Sequence, residues 1–298
     1  MMRTTMQLTT LLPLWRAGIA ADHTDRSVRS YAEHVERFLR QLGAEATITS
    51  ITAPAIETHK QRLSRSHAPR TVALALTAIR SFIRWQIASE LRQDDPTLKV
   101  RFPKAPKPLP RALSDDQVRE LLAALIRPSG LLPAADEQWR RNALAIRLLL
   151  YTGMRISELG SLRWRDVDLA QRRLVVRGGK GEKDRTIPIH MSLLGELRLA
   201  AVGRRPSDAV CGHAHGPALS LKSWHHVFER WVPALGLSFH LTAHPLRHTF
   251  ITALIDRGAN IFEAQELAGH ESPETTRLYY RLSGKHLREA IDRLPATW

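Results

Sequence analysis

One stretch constrains this chain more than any other. Residues 95–111 read DPTLKVRFPKAPKPLPR, with five prolines and five Lys or Arg. Each proline lacks a backbone N–H and fixes φ, so the run cannot continue a helix or sit inside a sheet. It favours extended chain instead. Such a strap divides the 298 residues into parts of unequal character. At roughly 100–200 residues per domain, two domains are expected. The boundaries read as a first domain over 1–105, a linker over 106–111 and a second domain over 112–298. The basic residues suit a strap lying along phosphates. They equally suit a solvated linker that touches no ligand.

The first part reads as a helical bundle. Over 27–42, Val28, Tyr31, Val35, Phe38, Leu39 and Leu42 recur at three- and four-residue spacing, which makes one apolar helix face. Val72, Leu76, Ile79, Ile83 and Ile87 do the same over 70–91, with Arg80 and Arg84 beside the stripe. A small bundle with a basic surface is expected.

The second part is mixed. Ser114 and Gln117 form a capping-box pattern ahead of Val118, Leu121, Leu122 and Leu125. A longer helix is expected through 142–150, stopping near Gly153. Leu174-Val175-Val176 and Thr186-Ile187-Pro188-Ile189 read as two short strands joined by the Gly178-Gly179-Lys180-Gly181 turn. Helices are then expected over 220–235, over 247–257 ending at Gly258, and from an Asn260/Glu263 cap to Gly269. One more should open at Ser272-Pro273-Glu274, since proline suits the first helical position. The fold class is mainly α with a small β-sheet: an N-terminal helical bundle plus an α/β domain.

Charge narrows the partners. Lys plus Arg is 44 against 29 Asp plus Glu, a net charge of +15, and 36 of the 44 are Arg. Planar guanidinium forks suit phosphate, and a strongly basic domain is the usual footprint of nucleic-acid binding. An Arg-biased genome and an anionic membrane surface are the competing explanations. Apolar runs fall far short of the ~18 residues that a membrane span needs. The single cysteine, Cys211, excludes an internal disulfide. The N-terminus lacks the layout of a signal peptide, so a cytoplasmic location without membrane contact is expected.

The usual chemistries find little support. Cys211, His213 and His215 do not have a standard zinc spacing. The Gly178–Gly181 turn lacks the phosphate-loop pattern, so no nucleotide cofactor is implied. No carboxylate cluster offers a two-metal site. What remains is a scattered set of cations and a tyrosine. Arg155 lies just past a helix end in Tyr-Thr-Gly-Met-Arg-Ile-Ser-Glu-Leu, and Lys180 at a turn. His244 and Arg247 share one side of a helix start in His-Pro-Leu-Arg-His-Thr-Phe. His270 follows Leu-Ala-Gly, and Tyr279-Tyr280 follows Thr275-Thr276-Arg277-Leu278.

This ordered set resembles the tyrosine recombinase (phage integrase) family, and most of all its Xer-type members. The family pattern of Arg, Lys, His-x-x-Arg, His and Tyr falls on Arg155, Lys180, His244, Arg247, His270 and Tyr279. The resemblance covers nearly the whole chain, and the proline strap followed by Leu-Ser-Asp-Asp-Gln-Val belongs to it. It implies a SAM-like, core-binding helical domain and a catalytic domain on either side of double-stranded DNA. It further implies strand cutting and rejoining through a 3′-phosphotyrosyl link, with neither metal nor ATP. Tyr279 is then the nucleophile, with Tyr280 pointing about 100° away. Arg155 and Arg247 clamp the non-bridging oxygens. His244 is the base or proton shuttle, and Lys180, preferred over Lys183, is the general acid for the leaving oxygen. His270 donates to the phosphate, and Glu158 supports the site.

The resemblance also implies a homotetramer on DNA, or a heterotetramer with a second recombinase. Leu287, Ile291 and Leu294 give the tail over 284–298 an apolar face that suits docking on a neighbouring subunit. The implied role is chromosome or plasmid dimer resolution. Three departures from the Xer pattern keep a mobile-element integrase or excisionase as the alternative. The stretch over 127–141 is long, Tyr279-Tyr280-Arg281 replaces the usual Tyr-Thr-His, and the 211–216 loop is unlike the family's. A non-catalytic DNA-binding protein is the remaining class, and it would not need the nucleophile at this spacing.

Overall fold

A computed structural model of the chain describes residues 7–104, 111–126, 133–178, 184–213 and 218–269. The chain forms two compact units, Met1–Pro108 and Leu109–Trp298.

The first unit is built from α1 (Leu8–Ile19), α2 (Asp25–Leu42), α3 (Ala53–Ser64) and α4 (Pro69–Ala88). The Thr24 hydroxyl accepts the Ser27 N–H and starts α2, while Pro69 opens α4 at the position where a missing N–H costs least. Val35 and Phe38 of α2 are buried against Val72, Leu76, Ile79 and Phe82 of α4. The periodicity over 27–42 and 70–91 therefore marks the faces that make this core. Helix α1 is less legible, because Pro13 interrupts its pattern. Tertiary packing overrides that break. Leu8, Leu11 and Trp15 are all buried, and the Trp15 ring meets Phe82 edge-on with centroids 5.3 Å apart.

The start of the strap packs into this unit rather than lying in solvent. Asp95 caps a 3-10 turn, Pro96–Lys99, by accepting the Thr97 N–H at 2.9 Å. Arg80 Nε donates to Thr97 Oγ1 at 3.0 Å, and the Arg80 guanidinium lies over the Phe102 ring, 4.1 Å from its centroid. Val100 is buried. Arg80, expected on a basic surface, is thus turned inward, whereas Arg84 is exposed. Residues 105–110 of the strap lie outside the described residues.

The second unit opens with α5 (Asp115–Ala124), closed by the expected reciprocal cap between Ser114 and Gln117. Just ahead of it, the Leu113 N–H donates to Thr249 Oγ1 at 2.8 Å, and that hydroxyl donates to the Pro245 carbonyl at 2.8 Å. Helix α6 (Pro133–Thr152) begins well before the expected 142. Leu144, Ile146, Leu148 and Leu149 carry it through the middle of the core. It stops at Gly153, whose φ of +61° only glycine adopts without strain. The short α7 (Ile156–Ser161) follows.

Strands β1 (Val167–Asp168), β2 (Arg173–Val176) and β3 (Arg185–Pro188) form an antiparallel sheet in that order. Leu174 is paired with Ile187, and both side chains are buried. The turn expected between β2 and β3 lies largely outside the described residues. After α8 (Met191–Ala201), the single helix expected over 220–235 is broken. Helix α9 (Leu221–His226) passes into a π turn, Val227–Trp231, in which the Val232 N–H reaches the Val227 carbonyl at 2.9 Å. Pro233 has no N–H to continue the ladder, and Gly236 ends the segment at φ +70°. Helices α10 (Ala243–Asp256) and α11 (Ile261–Ala268) complete the described part. The helix expected from Ser272 lies outside the described residues.

Gly153 and Gly236 provide a paired test. Both have positive φ, but a Cβ on Gly236 would meet nothing within 4 Å, whereas one on Gly153 would lie 2.2 Å from Phe250 Cδ1. Gly236→Ala should cost about 1–2 kcal/mol, the penalty of the left-handed conformation. Gly153→Ala should cost ~1–3 kcal/mol more, because Phe250 must move. Urea midpoints of the two variants measure the difference.

Candidate active site

Four of the residues singled out in the sequence, Arg155, Glu158, His244 and Arg247, fall among the described residues. Lys180, His270 and Tyr279 lie outside them, as does the 284–298 tail.

The site is assembled around the end of α6. With the helix stopped at Gly153, the chain turns and Arg155 becomes the N-cap of α7. The Arg155 N–H donates to Glu158 Oε2 at 2.7 Å, and its Nη1 donates to Glu158 Oε1 at 2.9 Å. Its Nη2 reaches the Gly269 carbonyl at 3.1 Å. The backbone residue just before His270 is therefore held by the guanidinium of Arg155. About a third of the Arg155 side chain stays open to solvent, at 34% exposure. Arg247, on the second turn of α10, is buried, and its Nη1 donates to the Gly153 carbonyl at 2.7 Å. The two arginines of the sequence pattern thus meet at one short segment, residues 153–155.

Sequence reasoning missed a third arginine. Arg185, the first residue of β3, donates from Nη1 to Glu158 Oε1 at 2.9 Å and from Nη2 to Oε2 at 2.8 Å. Its Nε donates to the Leu267 carbonyl at 3.0 Å. An arginine heading a short strand has no local pattern to mark it, and only the packing of β3 against α11 brings it to Glu158. Burial alone would raise the pKa of Glu158. The bonds and charge of Arg185, followed by those of Arg155, outweigh that and hold the carboxyl below its ordinary value.

His244 lies at the first turn of α10 on an exposed position, one turn from Arg247. Desolvation and the Arg247 charge lower its pKa, so its imidazole is neutral at pH 7 and can accept a proton. Its ring meets His248 edge-on, with centroids 4.3 Å apart. Burial and the His244 neighbour push His248 down to about 4. Cys211 is buried, and desolvation pushes its thiol up to about 12. Among the described residues no helix is long and apolar enough to cross a membrane.

The depressed Glu158 pKa has a thermodynamic consequence. Its stabilising contribution is present above the ordinary carboxyl value of 4.5 and is lost as pH falls through the lower folded-state value. Wild type should therefore exceed Glu158→Gln in stability at pH 7, and the gap should close on acidification. Urea unfolding from pH 7 to 3 on both proteins checks this.

The sequence pattern of the phage integrase family matches residues 111–286. Tyrosine recombinase XerA of Pyrococcus furiosus is 30% identical over 272 residues, covering 90% of this chain and 87% of the relative. Tyrosine recombinase XerD of Halalkalibacterium halodurans is 32% identical over 277 residues, covering 89% and 90%. In structure, the chain is similar to a lambda integrase (75–356) dimer bound to a COC′ core site. The TM-score is 0.73 at 20% identity, covering 92% of this chain and 95% of that one, a likeness of fold. A buried carboxylate between arginines, a neutral histidine one turn from a second arginine, and relatives of this kind over nine-tenths of the sequence lead to one assignment: the chain belongs to the phage integrase family and is a tyrosine recombinase.

Proposed function

We propose that this protein cuts and rejoins double-stranded DNA at a specific site, as a Xer-type recombinase that resolves chromosome or plasmid dimers. The observation that carries the reading is that Arg247 is held on the Gly153 carbonyl, two residues before Arg155, whose own guanidinium is held by Glu158 and the Gly269 carbonyl. Transfer of a phosphodiester builds negative charge on two non-bridging oxygens. Two fixed guanidinium groups stabilise that charge without reorganising during the step.

Tyr279 attacks the phosphorus, forming a 3′-phosphotyrosyl bond and releasing a 5′-oxygen. The bond energy is conserved in the phosphotyrosine, so the reverse attack by a 5′-hydroxyl needs no ATP. His244, neutral at pH 7, takes up or relays the tyrosine proton. Lys180 protonates the leaving 5′-oxygen, and His270 donates to the phosphate. Glu158 holds Arg155. The first unit serves as the core DNA-binding domain, and the second as the catalytic domain. The working assembly is a tetramer on two sites, of this chain alone or with a second recombinase. The 284–298 tail docks on a neighbouring subunit, and the protein acts in the cytoplasm.

Covalent trapping tests the reading. Nicked fragments of the source genome are incubated with protein in EDTA, denatured, and any DNA still attached to protein is sequenced. Wild type should trap a discrete site and Tyr279→Phe none. Trapping by the Phe variant would move the nucleophile to Tyr280, and no trapping by wild type would remove the reading that this chain alone cleaves DNA. On the recovered site, the His244 role requires its neutral form. The single-turnover cleavage rate should hold down to pH 6.5, and fall below it as the imidazole, whose pKa lies under that ordinary value, becomes protonated. An unchanged profile in His244→Gln would exclude His244 from the proton path.

A further inference from the structure

We propose that Arg185 is a positioning residue for strand cleavage: it takes up half of the Glu158 charge, so that Glu158 orients Arg155 without neutralising it. The proposal rests on the strand-cleavage reading and adds to it a group outside the six-residue pattern.

The argument starts from charge. Glu158 is 7% exposed, and both of its oxygens are engaged by two arginines. With Arg155 alone, one carboxylate would face one guanidinium. The pair would be neutral, and most of the Arg155 field would be spent inside the protein. With Arg185, one carboxylate is shared by two guanidinium groups, and these three groups sum to a single positive charge. Arg185 has only 8% of its side chain exposed, whereas Arg155 has 34%. Of the two guanidinium-bearing side chains that share Glu158, that of Arg155 is therefore the one open to solvent. Stability alone would not account for the arrangement, since a buried ion cluster is often no better than apolar packing of equal volume. Its gain is a fixed, outward-facing cation.

The same side chain also fixes backbone. Arg185 Nε holds the Leu267 carbonyl at the end of α11, and Arg155 Nη2 holds the Gly269 carbonyl two residues on. Gly269 has φ +66°, and a Cβ there would sit 2.8 Å from Arg185 Nη1 and 3.0 Å from its Cζ. The absence of a side chain at Gly269 is what lets the Arg185 fork lie against this turn while reaching Glu158.

The experiment uses the full chain and the DNA site recovered by trapping. Arg185→Gln should slow single-turnover cleavage by about 10- to 100-fold, the range for groups that orient a reactive ligand from behind. Its affinity for the site should be little changed. Arg185→Lys, which keeps the charge but not the two-pronged bond, should recover part of the loss. Adding Glu158→Gln to Arg185→Gln removes the carboxylate that would over-neutralise Arg155, so the double variant should cleave no more slowly than Arg185→Gln alone. On a substrate with a neutral methylphosphonate at the scissile position, the Arg185→Gln deficit should shrink, because less charge needs compensation. A purely structural role predicts multiplied losses and equal deficits on both substrates, and either result would overturn the proposal. Wild type that traps no DNA would defeat the cleavage reading itself. Wild type that traps DNA, with Arg185→Gln cleaving at the same rate, would defeat only the role given to Arg185.

Discussion

An ionised carboxylate almost closed off from water survives only if other donors replace the water it has lost, and Glu158 is such a group. Its replacements come from the N–H and guanidinium of Arg155 and from both prongs of Arg185. Those donors belong to the start of α7 and the head of β3. Through the same two arginines, the end of α11 is drawn in at Leu267 and Gly269. Three segments far apart in sequence thus converge on one acid. The stop at Gly153 is the local condition for this convergence, because it releases the chain from α6 in time for Arg155 to cap α7 and leaves its own carbonyl for Arg247.

The arginine-rich composition has two uses in this fold. A net charge of +15 still makes polyanions natural partners. Yet several arginines are directed inward. Arg80 secures Thr97 and covers Phe102, Arg92 pairs with Asp94 and bonds the Ile51 carbonyl, and Arg185 and Arg247 hold backbone carbonyls within the second unit. A guanidinium suits this work because its planar fork satisfies two acceptors at once and its charge does not depend on pH. Counting basic residues therefore overstates the surface available to phosphate.

Legibility in the sequence followed the range of the interactions. Where one helix face meets one core, as in α2 and α4, three- and four-residue spacing marked the elements. Where a cap is local, as at Ser114 with Gln117 or Asn260 with Glu263, the residue types marked the ends. Helix α1 was obscured by Pro13, and its burial depends on Trp15 meeting Phe82, a contact across 67 residues that no local pattern contains. The region over 220–235 read as one helix because its apolar spacing is helical throughout, but the missing N–H of Pro233 resolves it into α, π and 3-10 turns. In the candidate site, Arg155, His244 and Arg247 were marked by the ordered pattern that carries the family resemblance, and Glu158 by what that resemblance implies. Arg185 was not, since its partners lie 27 residues back and 82 residues ahead.

The hydrogen bond from Leu113 to Thr249 joins two parts of the second unit that lie far apart in the chain. Leu113 is among the first described residues after the proline-rich strap, and its N–H is fastened to a hydroxyl that is itself fastened to Pro245, the neighbour of His244 on α10. One hydroxyl therefore holds both the entry to the second unit and the first turn of the helix that bears His244 and Arg247, so loss of the Thr249 side chain would loosen the two together.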